Sequence, residues 1–215
     1  IASLTGKSKL EVIEDLTKGD KPLAYFDPAL QVYETAPMYL SGNVKLKHKQ
    51  AREAGLMEQA DALKAVFPPD AKAGDIVARL GAGWIEPSVY EGFFQHLLGE
   101  DAVAKVQFLP ATGGWAISSE GGDGVMVNTR GGSPRRSAHD LIARILNNKD
   151  MTVRDTDPDG TSVVNKEATQ AAQDKADEIR AEFEDWVFKE DARRERLVAF
   201  YNENMNTTIG VEWDG

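Results

Sequence analysis

Between residues 165 and 187 the apolar side chains Ala168, Ala172, Ala176, Ile179, Phe183, Trp186 and Val187 recur at three- and four-residue spacing. An α-helix gathers such a set onto one face, so the spacing predicts a long amphipathic helix of about five turns, N-capped by Asn165. Leu197, Phe200 and Tyr201 continue the pattern. The stripe passes from alanine to aromatic along its length, so the segment packs on the rest of the chain through small residues first and rings later.

Upstream the periodicities alternate. Leu10, Ile13 and Leu16, with Val12 beside them, predict a short helix stopped by Gly19. Pro22, Pro28 and Pro37 with Tyr25, Phe26 and Tyr33 predict an extended connector with one buried aromatic face. A Ser41-Gly42-Asn43 turn then precedes a helical stretch over 44–66 that Gly55 divides and Pro68-Pro69 ends. Residues 75–85 read as a strand bent at Gly81 and Gly83, and Pro87 with a Ser88…Glu91 capping box starts a helix to Leu98. Residues 103–109 and 114–119 alternate apolar and polar positions and 124–129 continues the pattern, so two or three short antiparallel strands are expected, with glycine pairs at 113–114, 121–122 and 131–132 as turns. Ser137 caps a helix whose core face is Leu141, Ile142, Ile145 and Leu146, and Asp157-Pro158-Asp159-Gly160 is hairpin-turn chemistry between two further strands.

The expected fold class is α+β: a short antiparallel sheet, flanking helices and a long C-terminal amphipathic helical segment. The expected division is an N-terminal helical and extended part over 1–70, an α+β lobe over 71–164 and a helical segment over 165–215.

Composition removes several chemistries. There are no cysteines, so disulfides, thiolate nucleophiles and cysteine zinc sites are excluded. No apolar run approaches the roughly 18–20 residues that span a bilayer. With 25 Lys+Arg against 35 Asp+Glu the net charge is −10, which opposes a phosphate backbone at long range. Two basic clusters stand out against it. Lys45, Lys47, Lys49 and Arg52 occur with no acid among residues 43–52, and Arg130, Arg135 and Arg136 lie in a glycine-rich stretch.

Apparent ligand motifs fail in detail. Gly6-Lys7-Ser8 copies the end of a phosphate loop, but the first glycine of that pattern falls on Ile1. Gly81-Ala82-Gly83 is followed by Glu86 where a dinucleotide fingerprint needs glycine. Asp155-x-Asp157-x-Asp159-Gly160 opens like a calcium loop, yet Lys166 stands where the bidentate acid belongs and Pro158 stiffens the loop. His48, His96 and His139 have no zinc-ligand spacing. No metal and no cofactor is therefore expected.

Tyr39-Leu40-Ser41-Gly42-Asn43, followed by Leu80-Gly81-Ala82-Gly83-Trp84-Ile85 and then by Trp186, Tyr201-Asn202-Glu203-Asn204 and Trp213-Asp214-Gly215, resembles a segment of very large phage- and plasmid-encoded DNA methylase–helicase fusion proteins. These include antirestriction proteins of the defence against restriction B type. The resembling segment lies between an adenine-specific methylase region and a Swi/Snf-type helicase region. The chain stops at Gly215 with no closing element, as a piece of a longer polypeptide would. The one Pro-Pro, in Phe67-Pro68-Pro69-Asp70, does not match the Asn/Asp-Pro-Pro-aromatic motif that holds a flipped adenine, and neither a complete phosphate loop nor its acidic partner box is present.

The resemblance thus implies a non-catalytic connector or accessory domain. Its partners would be the flanking methylase and helicase regions of the same polypeptide, with weak DNA contact through Lys45, Lys47, Lys49 and Arg52 or through Arg130, Arg135 and Arg136. Its place would be the cytoplasm of a bacterial or phage-infected cell, with no membrane contact. Arg193, Arg194 and Arg196 near Trp186 and Tyr201 suit either base stacking or intramolecular packing. Two other readings stand beside it: an acidic protein-docking or DNA-mimicking module, and an enzyme with a pocket near Trp84 and Glu86 in which Glu86 and Glu91 act as an acid/base pair.

Overall fold

A computed structural model describes residues 6–211, so Ile1 and the motif end Trp213-Asp214-Gly215 lie outside the described residues. The chain is α+β, and it divides into two compact units, residues 1–71 with 199–215 and residues 72–198. The first break lies one residue from the expected boundary at 70, whereas the second falls after residue 198 and not at 164. The long C-terminal helix belongs to the middle of the chain because its stripe completes that core, and the final residues join the N-terminal unit through a strand pair.

The first unit begins with α1 (Lys9–Thr17). Ser8 Oγ accepts the Glu11 N–H at 3.3 Å while Glu11 Oε2 accepts that of Ser8 at 2.7 Å, so Gly6-Lys7-Ser8 leads into a reciprocal helix cap. Gly19, at φ 107°, follows the helix as its stop. Residues 24–39 are not the expected extended connector: they form β1 (Ala24–Asp27), β2 (Val32–Thr35) and a short α2 (Ala36–Tyr39). The Asp27 carboxylate accepts the N–H groups of Ala29 at 2.7 Å and Leu30 at 3.0 Å, a local turn that reverses the chain. Of the three expected aromatics Tyr25 is buried, but Tyr33 is 50% exposed.

After β3 (Gly42–Asn43), α3 (Val44–Glu53) and α4 (Met57–Ala65) form a helical hairpin, with Gly55 at φ 76° supplying the left-handed residue between them. The core is small: Tyr25 stacked on Tyr39 with centroids 5.2 Å apart, then Val44, Ala51, Ala60 and Leu63.

In the second unit α5 (Pro87–Leu98) buries Val89, Tyr90, Phe93, Phe94 and Leu98. It is followed by the hairpin of β4 (Val103–Leu109) and β5 (Gly114–Glu120), then α6 (Ala138–Leu146), the hairpin of β6 (Arg154–Thr156) and β7 (Ser162–Val164), and α7 (Lys166–Val187). Then come α8 (Asp191–Asn204), which starts in this unit and ends in the first, and β8 (Thr208–Ile209), which pairs with β3. Among the described residues the strands form four separate two-stranded antiparallel pairs and not one sheet. None of the helices among the described residues is long and apolar enough to cross a membrane.

Most of the α7 stripe is buried as its spacing predicts: Ala172, Ala176, Ile179, Phe183 and Val187. Phe183 meets Phe93 edge-on with centroids 5.0 Å apart, and Tyr90 meets Trp115 edge-on at 4.9 Å. Ser137 caps α6 and Asn165 caps α7, each side-chain oxygen accepting an N–H three residues on.

Four expectations give way. Residues 76–86 are a turn-rich loop and no strand, because Gly81 takes φ 100° and lies so close to α6 that a Cβ there would sit 2.9 Å from the Leu146 carbonyl oxygen. Residues 124–130 are helical, including a wide turn over Met126–Arg130, because the Asp123 carboxylate caps the N–H groups of Val125 and Met126. The Ser88…Glu91 box does not form: Glu86 is the N-cap residue, Pro87 starts the helix, and Glu91 reaches across to accept the Val106 N–H at 3.0 Å. The last helix breaks after Val187 and restarts at Asp191, with arginines closing the first half as described below.

Candidate nucleic-acid interface

The basic cluster of the first unit sits on α3, whose start is dictated by Ser41-Gly42-Asn43. Ser41 Oγ donates to the Met38 carbonyl at 2.9 Å, Gly42 takes φ 72°, and Asn43 Oδ1 accepts the Leu46 N–H at 2.9 Å as N-cap. Gly42 and Asn43 also pair with Ile209 and Thr208. Tyr39 is fully buried, and burial pushes its hydroxyl up to about 12, with Asp27 and Glu34 adding to the shift. Leu40 packs against the same core.

The four cations on this helix have different fates. Lys45 donates to the Asn202 carbonyl and lies 5.5 Å from the Phe67 ring centroid. Lys47 is 22% exposed; it donates to the carbonyls of Met38 and Tyr39 at 3.1 and 3.0 Å, pairs with Glu34 at 3.4 Å and lies over the Tyr39 ring. Both therefore staple the unit together. Lys49 and Arg52 are exposed and have no acidic partner among the described residues. On the same helix His48 rests edge-on against Phe67, centroids 5.2 Å apart. Its pKa is lowered by burial first, then by the charges of Arg52 and Lys64, with Asp61 opposing. Lys64, exposed on α4, thus belongs to the patch; the Gly55 break, which folds α4 back along α3, was the signal for it.

The second cluster lies in the other unit and is mostly structural. Arg135 pairs with Asp155 at 2.7 Å. Arg136 pairs with Asp140 at 2.6 Å and donates to the Thr152 carbonyl, while its Nε is buried without a partner. Burial pushes Asp140 up, but hydrogen bonds from Arg136 and Arg144 outweigh it and hold the carboxyl below its usual range. Arg130 is exposed and lies 3.8 Å from the Met126 sulfur.

The C-terminal arginines close helices. Arg193 lies 3.6 Å over the Trp186 ring and donates to the carbonyls of Val187 at 2.8 Å and Trp186 at 2.6 Å, capping the end of α7. Arg194 donates to the Phe188 carbonyl at 3.2 Å and pairs with Asp191. Arg196 pairs with Glu86. Trp186 is accordingly half-buried at the edge of the core: it packs on Phe93, stacks on His96 and is covered by Arg193.

The remaining motif residues hold backbone. Gly81 presents its carbonyl to Trp115 Nε1 at 3.1 Å, and the Ala82 carbonyl takes the Tyr90 hydroxyl at 2.8 Å. Leu80 and Ile85 are buried and Trp84 packs on the same core. Asn202 is buried and grips Ala71 twice, accepting its N–H at 2.8 Å and donating to its carbonyl at 2.9 Å, while Asn204 donates to the Phe200 carbonyl and Tyr201 is half-buried. With Glu86 on Arg196 and Glu91 on Val106, neither carboxylate is arranged as a free acid/base partner. In the calcium-like loop, Asp155 is held by Arg135 and Asn165 and Asp159 by the Thr161 N–H; among the described residues no three acidic or histidine side chains converge to hold a metal.

A family model described as Domain of unknown function (DUF8437) matches residues 79–207, more than half of the chain. The match takes in the glycine loop, the aromatic core and α8 but not α3. No curated protein and no solved structure matches the chain.

Proposed function

The chain belongs to the DUF8437 family, and for this member we propose a non-catalytic accessory role in a DNA-modification protein, with weak electrostatic contact to nucleic acid made by the α3–α4 face of the N-terminal unit. One observation carries the reading: Lys49 and Arg52 are exposed and unpaired beside Lys64, while the other arginines and lysines of the expected clusters, Arg130 apart, hold carbonyls or carboxylates. The face is three cations wide, and the remaining surface is net acidic. It therefore neutralises few phosphates and binds without sequence preference. The resemblance to methylase–helicase fusions supports the context, in which the flanking regions perform the chemistry and this segment supports them.

Fluorescence anisotropy with short duplex and single-stranded DNA at two salt concentrations tests it. Dissociation constants no tighter than the nonspecific range of about 10⁻⁴–10⁻⁶ M are expected, weakening steeply with salt. The double reversal Lys49→Glu/Arg52→Glu should abolish the signal. Binding that survives this reversal, or no binding at low salt, would overturn the proposal.

A further inference from the structure

Within the first unit, a cleft of about 890 Å³ opens between the loop after α1, the β1–β2 hairpin and α4. This is the size of sites that enclose a small ligand or an anchoring side chain. Its apolar lining includes three aromatic residues, Tyr25, whose ring is already stacked on Tyr39, and the cross-strand pair Phe26 and Tyr33, 5.3 Å apart, beside the aliphatic Leu56 and Ala62.

Its polar lining is rich in acceptors. Asp20 and Glu58 are exposed carboxylates with no cation paired to them among the described residues. Gln59 also lines the cleft, and its Oε1 is buried with no donor. Lys18, the cation among the lining residues, is occupied by Glu14.

Aromatic faces and unpaired carboxylates together select a donor-only, planar cation. A phosphate is disfavoured by the same carboxylates. Leu23, between two lining residues, and Met57, beside Glu58, are 66% and 53% exposed, so apolar surface continues past the cleft and favours a polypeptide over a free small molecule. We infer that this cleft is a docking site for an arginine side chain carried by an apolar polypeptide segment of a partner protein. The inference does not depend on the DNA-contact reading, since it uses different residues.

Isothermal titration of the 215-residue chain tests it with three probes: a blocked leucine–arginine–leucine peptide, the same peptide with citrulline, and argininamide. The arginine peptide should bind saturably. Citrulline, equal in shape and uncharged, should bind about fivefold or more weakly, and argininamide more weakly than the arginine peptide. Tyr33→Ala and Glu58→Gln, both at exposed positions, should each weaken the arginine peptide while leaving the unfolding transition in place. No saturable binding, equal affinity for the citrulline peptide, equal affinity for argininamide, or wild-type affinity in the Tyr33→Ala/Glu58→Gln double variant would each overturn the assignment.

Discussion

The two units hold themselves together by different means. The second surrounds Phe93 and Phe183 with a continuous apolar core reaching from Ala78 to Leu197. Among the described residues the first has a core cluster of six buried side chains, and its parts are joined by polar clamps: Lys45 and Lys47 on carbonyls, Asn43 as a cap, and Asn202 on Ala71. It also leaves Leu10, Leu23, Leu30, Tyr33, Met38, Leu46 and Met57 exposed. A large core tolerates the loss of a surface group, whereas a small one depends on each hydrogen bond that closes it.

The comparison is broken most severely in the core of the second unit. Phe183→Ala should cost about 3–5 kcal/mol, since it removes a fully buried ring and leaves a cavity. Trp186→Ala should cost distinctly less, about 1–3 kcal/mol, because the indole is half-buried and Arg193 keeps its hydrogen bonds to the α7 carbonyls without it. Denaturant unfolding of the two variants side by side checks the order; equal costs would mean that Trp186 belongs to the core after all.

A smaller and more local effect is expected in the first unit. Asn202→Ala leaves the Ala71 N–H and carbonyl without their side-chain partner, at a cost of about 1–3 kcal/mol. Hydrogen exchange should show faster opening at residues 70–71 and 199–209 with α5 and α7 amides unchanged. Uniform acceleration through both units would mean that they unfold as one.

The least effect is a pH dependence. The folded pKa of His48 lies below its ordinary value, so the unfolded chain binds the proton more tightly. The stabilising contribution is therefore present above the unfolded value of 6.5 and is lost as pH falls through the folded value. His48→Gln should flatten the stability–pH curve on that acid side. In the DNA titration, a phosphate near Arg52 and Lys64 should favour protonated His48, so affinity should rise as pH is lowered below about 6.5, and this rise should vanish in His48→Gln.

How much of this was legible beforehand depended on whether the determining contacts were local. The α7 stripe, the caps at Ser137 and Asn165, the break at Gly55 and the Asp157–Gly160 turn each depend on residues within one or two turns of chain. The strand expected over 124–129 failed through competition at equally short range, where the Asp123 carboxylate favours a helical start over an alternating pattern. The candidate site was half legible: the lysine cluster could be seen, but not which of its members were already bonded.

The amino-acid order by itself determined the α+β class, the main helices and their buried faces, because side-chain periodicity and capping act over a few residues. Only the tertiary structure decided the rest. It assigned α7 to the middle of the chain, joined β8 to β3, turned Arg193 into a cap and a ring partner, and separated the exposed Lys49 and Arg52 from the occupied Lys45 and Lys47. The physical reason is that charge availability is set by acceptors far away in sequence. The Asn202 carbonyl that holds Lys45 lies 157 residues from it, and no local pattern in the chain encodes that meeting.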